Sequence, residues 1–466
     1  MKFEETIVAP ATGNGGAIAV IRVSGAKAAE ICDAVFVSPK GKTIGAAQGY
    51  TMLYGQIVNN GNTIDDVVAA IYKAPYSYTG ENMIEISCHA SKYIISQITQ
   101  ALCDNGARAA HAGEFTQRAF MNGKLDLAQA EAVADIIASH DKASHYIASQ
   151  QMRGGYSEEL KSLRDKLLRL VSLMELELDF GEEDVEFADR SEFISILNET
   201  EDKIKQLTRS FSYGNAIKEG IRVVIAGSPN VGKSTLLNAL LKEERAIVSD
   251  IAGTTRDVIE DTLKIGGVDF RLTDTAGLRI SDEQIEQMGI ERTHKAVSQA
   301  RILLLMFDIR TATKDLIDKQ IAELAPNAEQ KICILLNKAD VHIEDENISL
   351  TQRQMLQTIY PRYTVITLSA KTGIGIESVR QFLEQAGELN DIYNQSVTVS
   401  NIRHYQALKR AEERLLAVRN GLESGLPTDL IVEDIRGMLG HLGEITGEIT
   451  TDEILGQIFS TFCIGK

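Results

Sequence analysis

The chain has 466 residues, enough for about three domains of ordinary size. Hydrophobic residues make up 44% and charged residues 24%, as in soluble globular proteins; no stretch has the roughly 18 uninterrupted apolar residues of a membrane span, and the N-terminus lacks the pattern of a signal peptide. The net charge of −17 disfavours nonspecific binding of nucleic acid by the whole surface, although a local basic patch or a basic partner could bring RNA to the chain.

The first region, residues 1–120, mixes strand and helix signals. Short runs of β-forming residues cover 17–23, 67–72 and 83–87, and clusters rich in Gly and Asn separate them. Residues 93–102 instead show helical spacing. This mixture predicts an α+β domain.

Two further regions, 121–216 and 386–466, show apolar residues at helical spacing with few turn signals. They flank an α/β region over 217–385. The simplest architecture is one discontinuous helical domain into which the α/β domain is inserted. In the last region the predicted helical seam comprises Leu408, Ala411, Leu415, Leu416, Leu430, Ile431 and Ile435.

The α/β region alternates helical patterns with short apolar runs that suit strands buried on both faces of a mostly parallel sheet. These runs lie at 222–226, 270–273, 302–307, 332–336 and 365–368.

Residues 227–234, GSPNVGKS, match the pattern of a phosphate-binding P-loop. The motif follows a β run and opens a helical pattern, which is the context it requires. Its glycines let backbone N–H groups face phosphates, and the helix N-terminus adds a favourable dipole. Lys233 is expected to reach the β- and γ-phosphates, and Ser234 to ligate Mg²⁺ through its hydroxyl.

Two later motifs identify the nucleotide. Asp274-Thr275-Ala276-Gly277 ends an apolar run, where the carboxylate can hold Mg²⁺ through water and the Gly277 N–H can meet the γ-phosphate. Asn337-Lys338-Ala339-Asp340 ends another run, and Asp340 offers two oxygens to the two donors on the guanine edge. Ser369-Ala370-Lys371 completes the base pocket. Together these motifs predict a GTPase with a Ras-like P-loop fold.

The segment between the P-loop and Asp274 predicts a switch loop. Thr255 is the natural second Mg²⁺ hydroxyl. Leu278 stands where Ras-like enzymes carry a water-orienting Gln, so another group must orient the water. The residues alone leave five charged candidates open: Glu283, Glu286, Glu291, Arg256 and Arg279.

The motifs predict nucleotide contacts at a defined set of residues. These are Asn230, Val231, Gly232, Lys233, Ser234, Thr235, Ser249, Ile251, Ala252, Gly253, Thr254, Thr255, Asp274, Thr275, Ala276, Gly277, Asn337, Lys338, Asp340, Ser369, Ala370 and Lys371.

Over nearly its whole length the chain resembles the tRNA-modification GTPase family, MnmE (also called TrmE). The resemblance rests on residues 6–9, 21–25, 78–81, 113–120 and 124–132, on the switch and Asp274 motifs, and on the C-terminal Phe462-Cys463-Ile464-Gly465-Lys466. The chain departs from the family pattern at residues 87–91, SCHAS, where Gly-His-Gly-Gly is usual, and at Asn14, where Arg is common.

This resemblance implies a function that the P-loop alone does not indicate. Members work with the FAD-dependent partner MnmG, in an expected heterotetramer, to add a carboxymethylaminomethyl-type group at position 5 of the wobble uridine of certain tRNAs. Their N-terminal domain resembles a folate-binding fold, forms a homodimer and binds 5-formyltetrahydrofolate or a related one-carbon folate.

The resemblance also implies residue roles. The folate contacts would be Arg22, Glu85, Lys124 and Lys466; the functional thiol would be Cys463; and the water-orienting acid would be Glu286. It further implies K⁺ where an arginine finger would stand, bound by Asn230, Ser249, Ile251 and Thr254. The amide oxygen of Asn230 is a hard neutral ligand that K⁺ accepts.

The cysteines bear on the cellular location of the protein, and the C-terminus bears on its alternative functions. Five scattered cysteines without a C-x-x-C pair disfavour a disulfide framework and fit a reducing cytoplasm. Cys463 formally fits a prenylation box, but Gly465 is not aliphatic, so a buried structural cysteine and a functional thiol remain open. A regulatory GTPase of ribosome assembly is the alternative function; the C-terminus, which is not basic, favours tRNA modification.

Overall fold

The computed structural model describes residues 5–13, 15–179, 190–242, 261–274, 293–327, 330–342, 346–387 and 397–465. Two compact units are present. The first comprises the described parts of 1–138, 148–204 and 406–466, and the second those of 139–147 and 205–405.

The first unit contains a seven-stranded sheet in the order β3-β4-β5-β6-β2-β1-β7, antiparallel except for the β1–β7 pair. Helices α1 and α2 cover one face, because apolar residues alternate along each strand: Val67, Ala69 and Ile71 of β5 are buried in that core. The strands are β1 Ile7–Pro10, β2 Ile18–Ser24, β3 Phe36–Val37, β4 Thr51–Asn59, β5 Asn62–Tyr72, β6 Met83–His89 and β7 Arg108–Ala109, and the helices are α1 Ala28–Asp33 and α2 Lys92–Asp104.

The other face of this sheet carries exposed apolar side chains. Met52 and Tyr54 of β4 are 73% and 59% exposed, and they pair in register with Ala70 and Val68 of β5. An exposed apolar strip of this kind is unusual on a monomer surface and is typical of an interaction surface.

The remaining helices of the first unit pack through apolar stripes. In α6 the stripe includes Leu160, Leu163 and Leu167, and in α13 it includes Ile435 and Leu442, all buried. Helices whose ranges touch this unit are α3 Glu114–Met121, α4 Leu127–Ala138, α5 Lys142–Met152, α6 Gly155–Asp179, α7 Arg190–Glu219, α12 Ile402–Ser424, α13 Thr428–Thr446 and α14 Asp452–Ser460.

The second unit is built on a six-stranded sheet in the order β13-β12-β11-β8-β10-β9, in which all pairs are parallel except β9–β10. Apolar clusters bury both faces, as the continuous apolar runs predict. Its strands are β8 Ile221–Gly227, β9 Asp261–Ile265, β10 Val268–Asp274, β11 Ile302–Asp308, β12 Lys331–Asn337 and β13 Thr364–Thr367, and its helices include α8 Lys233–Lys242, α9 Lys314–Leu324, α10 Glu346–Ile359 and α11 Ile376–Ala386.

The predicted α+β, helical and α/β regions are therefore confirmed. The predicted seam is wrong at two positions: Leu416 is 49% exposed and Leu430 is 46% exposed. Each directly neighbours a buried seam residue, Leu415 or Ile431, and one step turns about 100° around a helix, away from the core. The boundaries at residues 120, 216 and 385 remain predictions.

Candidate functional site

The nucleotide motifs meet at one edge of the six-stranded sheet. Gly227, Asp274, Asp308 and Asn337 are the last residues of β8, β10, β11 and β12, which are neighbours in the sheet. Because these strands are parallel, their carboxyl ends share an edge, which is where open α/β sheets bind ligands.

The P-loop backbone has the curled conformation that its sequence predicts. Asn230 has a φ of 62° and Gly232 a φ of 104°, both in the left-handed region. A Cβ at Gly232 would stand 2.4 Å from Nδ2 of Asn337, so only glycine fits there. The buried Lys233 ammonium donates to the carbonyls of Gly227 and Ser228, both at 2.9 Å. The P-loop therefore folds closely around its lysine.

Asn337 connects the P-loop to the loops that carry Asp340 and Ser369, the predicted base-binding residues. Its side chain is buried, its Nδ2 donates to the Val231 carbonyl at 2.7 Å, and its Oδ1 accepts from the Ala370 N–H at 2.9 Å. One side chain thus connects the segments that follow β8, β12 and β13.

Asp340 and Ser369 lie together, as the predicted base pocket requires. The Ser369 hydroxyl donates to Oδ1 of Asp340 at 2.7 Å, and the Ala339 N–H donates to the Leu368 carbonyl at 3.1 Å. Ser369 is buried and Asp340 is half-buried, whereas Lys371 is exposed. The hydroxyl fixes the carboxylate in one orientation. A carboxylate that accepts hydrogen bonds from the edge of a base needs such a fixed orientation.

Sequence reasoning missed Asp308. This buried carboxylate accepts from Lys338 Nζ at 2.9 Å and from Arg310 Nε at 2.9 Å. The Arg310 guanidinium and, against the effect of burial, the Lys338 ammonium hold the pKa of Asp308 below its ordinary value. An Asp that directly ends an apolar run beside the Asn337 strand was the available signal.

Ser234 and Thr235 are exposed in the first turn of α8, and the backbone of Asp274 pairs with Ile225 of β8. The other predicted contacts lie outside the described residues. These are Ser249, Ile251, Ala252, Gly253, Thr254, Thr255, Thr275, Ala276 and Gly277, together with the candidate groups Arg256, Arg279, Glu283, Glu286 and Glu291, and Asn14 and Lys466.

A second cluster in the first unit contains Arg22 and Glu85. These residues face each other on β2 and β6, with Nη2 of Arg22 2.7 Å from the carboxylate. The guanidinium lies over the rings of Tyr78 and Phe115, at 5.2 and 5.5 Å from their centroids, and its Nη1 donates to the Gly465 carbonyl at 3.3 Å. The C-terminal segment therefore reaches the predicted folate arginine.

Lys124 lies near the same loop. It is exposed after α3, and a Cβ at Gly80 would stand 3.4 Å from its Cγ. Gly80 belongs to the loop that carries Tyr78, so Lys124 is placed beside that loop. Within the described residues, the hydrogen bonds and the ion pair of Arg22 go to Glu85 and Gly465 and not to Lys124.

A buried ionic network supports this loop. Arg118 is fully buried and donates to Glu81, to Glu114 and to the Glu5 carbonyl. Burial alone would raise the pKa of Glu114, but bonds from Arg108, the His111 N–H and Arg118 outweigh it and lower that pKa. The network connects the N-terminal segment at Glu5, the loop of residues 77–82 and helix α3.

Cys463 is exposed, so the interpretation as a buried structural cysteine is wrong. Its carbonyl accepts from the Gly113 N–H at 3.4 Å, and the next residue, Ile464, forms a β-bridge with Ala112. The C-terminal segment is anchored through its backbone, which leaves the side chain facing outward. All five cysteines are free thiols.

No helix within the described ranges is long and apolar enough to cross a membrane. Among those same residues, no group of three or more His, Cys, Asp or Glu side chains could hold a metal ion.

Comparison with known proteins finds matches that cover nearly the whole chain. A family model described as "MnmE helical domain" matches residues 127–463, and one described as "GTP-binding protein TrmE N-terminus" matches residues 6–124. The proteins named "tRNA modification GTPase MnmE" from Flavobacterium johnsoniae and Parabacteroides distasonis are both 50% identical to this chain; the matches cover 99% of this chain and 99% and 100% of those proteins.

Among solved structures, the FeoB G-domain from Methanococcus jannaschii matches 36% of this chain and 98% of its own, with 22% identity and a TM-score of 0.26. That likeness is too weak to bear on function. The two family models and the full-length relatives are sufficient: the chain belongs to the tRNA modification GTPase MnmE family.

Proposed function

We propose that this protein hydrolyses GTP as part of the machinery that modifies tRNA. The observation that carries the proposal is the link made by Asn337, which joins the P-loop to the loop that presents Asp340 and Ser369. The proposed phosphate-binding loop and the proposed base-binding loops would thereby be held at a fixed separation on one edge of the sheet. Relatives that are 50% identical over the whole chain carry the corresponding name.

The carboxylate of Asp340 favours guanine. Its two oxygens can accept from the two N–H donors of the guanine edge, and adenine has no matching pair of donors. Ser369 orients the carboxylate, and the Ala370 N–H is held in place by Asn337.

The residues present also fit Mg²⁺. Ser234, which carries a hydroxyl, is the second residue of α8, the helix that the P-loop joins to β8. Asp274, a carboxylate residue, ends the adjacent strand β10, so oxygen-bearing residues come from two neighbouring parts of the sheet edge. Ser234 and Thr255 would ligate the ion, with Asp274 acting through water, and the bound ion would neutralise phosphate charge.

Glu286 is the proposed water-orienting acid. A positioned acid–base group typically contributes a factor of about 10²–10⁴ to the rate. Glu286→Ala should therefore lower kcat by about 10²-fold or more while nucleotide affinity stays near that of the wild type. An equal loss in Arg279→Ala with none in Glu286→Ala would transfer the role to the arginine.

The first unit fits a folate. The Arg22–Glu85 pair offers charged hydrogen-bonding groups, and Tyr78 and Phe115 offer flat apolar surfaces beside them. That combination suits a flat heterocycle rich in donors and acceptors. Arg22, Glu85, Lys124 and Lys466 would hold 5-formyltetrahydrofolate, which would supply a one-carbon unit, and the exposed Cys463 would be the functional thiol.

The exposed strip of the N-terminal sheet supports a homodimer. Met52 and Tyr54 project beside Val68, which is also exposed, and pairing with a second copy would remove this apolar surface from water. The proposed partners are a second copy of this chain, the FAD-dependent protein MnmG in a heterotetramer, and tRNA, in the cytoplasm. The product would be a carboxymethylaminomethyl-type group at position 5 of the wobble uridine.

Mass spectrometry of tRNA nucleosides tests the function. Cells that lack the protein should lose the 5-substituted wobble uridines, the wild-type gene should restore them, and Lys233→Ala should not. An unchanged nucleoside profile in the deletion strain would reject the proposal. Accumulation of ribosomal precursors together with that unchanged profile would favour the ribosome-assembly GTPase.

A further inference from the structure

The carboxylate of Asp308 is surrounded by cationic groups at the edge of the nucleotide site. Its Oδ1 accepts from the Arg310 N–H at 3.1 Å and from Arg310 Nε at 2.9 Å. Its Oδ2 accepts from Arg310 Nη2 at 2.5 Å and from Lys338 Nζ at 2.9 Å. Asp308 pairs in register with Asn337, so it lies beside the first residue of the Asn337–Asp340 motif.

Lys338 has an unusual backbone. Its φ is 70°, in the left-handed region that residues with a Cβ rarely occupy. A lysine side chain also has considerable rotamer freedom. A carboxylate that fixes the ammonium removes much of that freedom and helps to retain the strained backbone. Asp308 is suited to this task because it is itself buried and fixed by Arg310.

The position of the ammonium decides what Lys338 can present to a nucleotide. Since Nζ is bound to Asp308, the lysine charge is compensated within the protein, and the remaining part of the side chain is an apolar four-carbon stem. The stem starts two residues before Asp340, and the Lys338 side chain is 31% exposed. A stem held in this way can pack against the face of a base while its charged end points elsewhere.

We infer that Asp308 is a positioning residue of the guanine site, which anchors Lys338 so that the lysine stem supports the face of the bound purine. Arg310 is the outer clamp that keeps Asp308 in place. The inference rests on the proposed GTP binding and deepens it. Asp340 reads the edge of the base, whereas the Asp308–Lys338 pair supports its face, so the two should have separable effects on affinity.

Equilibrium binding of GDP, IDP and XDP to the full-length protein tests this inference. Asp308→Asn should weaken all three by a similar factor, about tenfold, and leave the GDP-to-XDP preference unchanged, because the base edge is still read by Asp340. Arg310→Ala should cost less, since the Asp308–Lys338 pair remains. Lys314→Ala, which removes an ion pair on the exposed surface of α9, is the control.

Rescue separates positioning from a merely structural role. In Asp308→Asn the Lys338 ammonium loses its ion pair, so it turns towards water and takes the lysine stem with it. A methionine side chain has no charge and therefore no such tendency. The double variant Asp308→Asn/Lys338→Met should therefore bind GDP several-fold more tightly than Asp308→Asn alone. Wild-type affinity in Asp308→Asn, or a loss that Lys338→Met does not relieve, would overturn the inference.

Should Asp308→Asn fail to fold, Arg310→Ala, which loosens Asp308, still tests the anchor and should weaken the binding of GDP relative to wild type; wild-type affinity would overturn the inference. Lys338→Met and Lys338→Ala then test the stem, because only methionine keeps a long apolar side chain. Lys338→Met should bind GDP more tightly than Lys338→Ala, and equal affinities would refute a role of the stem. A wild-type protein that binds no guanine nucleotide would instead reject the proposed function, so the two failures are distinguishable.

Discussion

At the scale of single residues, the nucleotide site depends on side chains that hold one another. Asn337 uses both ends of its amide, Ser369 orients Asp340, and Asp308 binds Lys338. Each bond joins residues that lie at or after the ends of different strands. A change at one of these residues should therefore alter the geometry of a neighbouring loop as well as its own contact.

Asp340→Asn should exchange guanine specificity for xanthine specificity. The asparagine amide would place a donor against the donors of guanine, and each lost charge-assisted bond should cost roughly 1.5–3 kcal/mol. The measurement is equilibrium binding of GDP and XDP, with Asp318→Asn on the exposed surface as the control. Unchanged GDP binding in Asp340→Asn would show that the base pocket is assigned wrongly.

Glu114→Gln should destabilise the first unit in a pH-dependent way. The folded-state pKa of Glu114 is below the ordinary value of 4.5, so its carboxylate stabilises the fold above that value, and the stabilisation is lost as the pH falls through the folded-state pKa. At pH 7 the substitution should lower the free energy of unfolding by about 1–3 kcal/mol.

Urea denaturation of the full-length chain, followed by circular dichroism, measures this difference at pH 7 and at pH 4. The gap between wild type and Glu114→Gln should narrow at the lower pH, whereas Glu423→Gln, at an exposed helical position, should show no gap at either pH. A gap that is constant with pH would mean that Glu114 acts through packing and not through its charge.

At the scale of elements, the hairpin of β9 and β10 is hydrogen-bonded to the start of α5. Asp141 accepts from the Ser144 N–H at 2.6 Å and from the Asp269 N–H at 3.1 Å, and the Ala143 N–H donates to the Gly267 carbonyl. Lys264 Nζ adds a bond to the His140 carbonyl at 3.0 Å. Since β10 ends at Asp274, this contact lies on the same strand as a nucleotide motif.

Asp141→Ala should lower the thermal stability of the protein. The substitution removes an N-terminal cap of α5, which typically costs about 0.5–2 kcal/mol, together with the bond to the hairpin. Asp141→Asn keeps a side-chain acceptor and should cost less. The midpoint of unfolding by circular dichroism measures both, and equal midpoints for Ala and wild type would show that the cap contributes nothing.

Elements with a strong local pattern could be predicted from the sequence, and those with a mixed pattern could not. The strand β8 carries an apolar run, Val223-Val224-Ile225-Ala226, directly before the P-loop, so the sequence predicts it. The strand β4 alternates Leu53 and Ile57 inward with Met52 and Tyr54 outward, and these exposed apolar residues hide the alternation. A surface that binds a partner weakens the same signal that reveals a strand.

The candidate site divides in a similar way. The P-loop and the Asn337–Asp340 motif are continuous in sequence, so residue types at fixed spacing reveal them. The ion pair from Asp308 to Lys338 and the bonds from Arg118 to Glu81 join residues 30 and 37 positions apart. No local spacing rule predicts such pairs, because the register of the strands and the path of the loops decide them.

At the scale of the whole molecule, the net charge limits how the proposed RNA substrate can be held. A net charge of −17 repels phosphate backbones, so tRNA should be held by local basic groups or by the proposed partner MnmG. On this view the second unit, hereafter the GTPase unit, would regulate an assembly whose binding surfaces are distributed over several chains.

Hydrolysis and association of the GTPase units should share one dependence on K⁺. Asn230 is exposed in the P-loop and has a left-handed backbone, with its amide oxygen available as a hard neutral ligand. Oxygens of Ser249, Ile251 and Thr254 would complete the cage, and closing that loop would create a surface on which two GTPase units meet. Ionic radius decides how well such a cage is filled, so K⁺ and Na⁺ should differ.

Asn230→Gly isolates the amide oxygen, because glycine adopts a φ of 62° without strain whereas alanine does not. At fixed ionic strength, K⁺ should accelerate hydrolysis by the wild type at least tenfold over Na⁺, about 1.4 kcal/mol, and Asn230→Gly hardly at all. Light scattering with GDP and aluminium fluoride should show association of the wild type in K⁺ only. Equal rates in the two salts would reject the ion and make Arg256 and Arg279 the charge-stabilising candidates, because developing negative charge between the phosphates still needs a cationic partner.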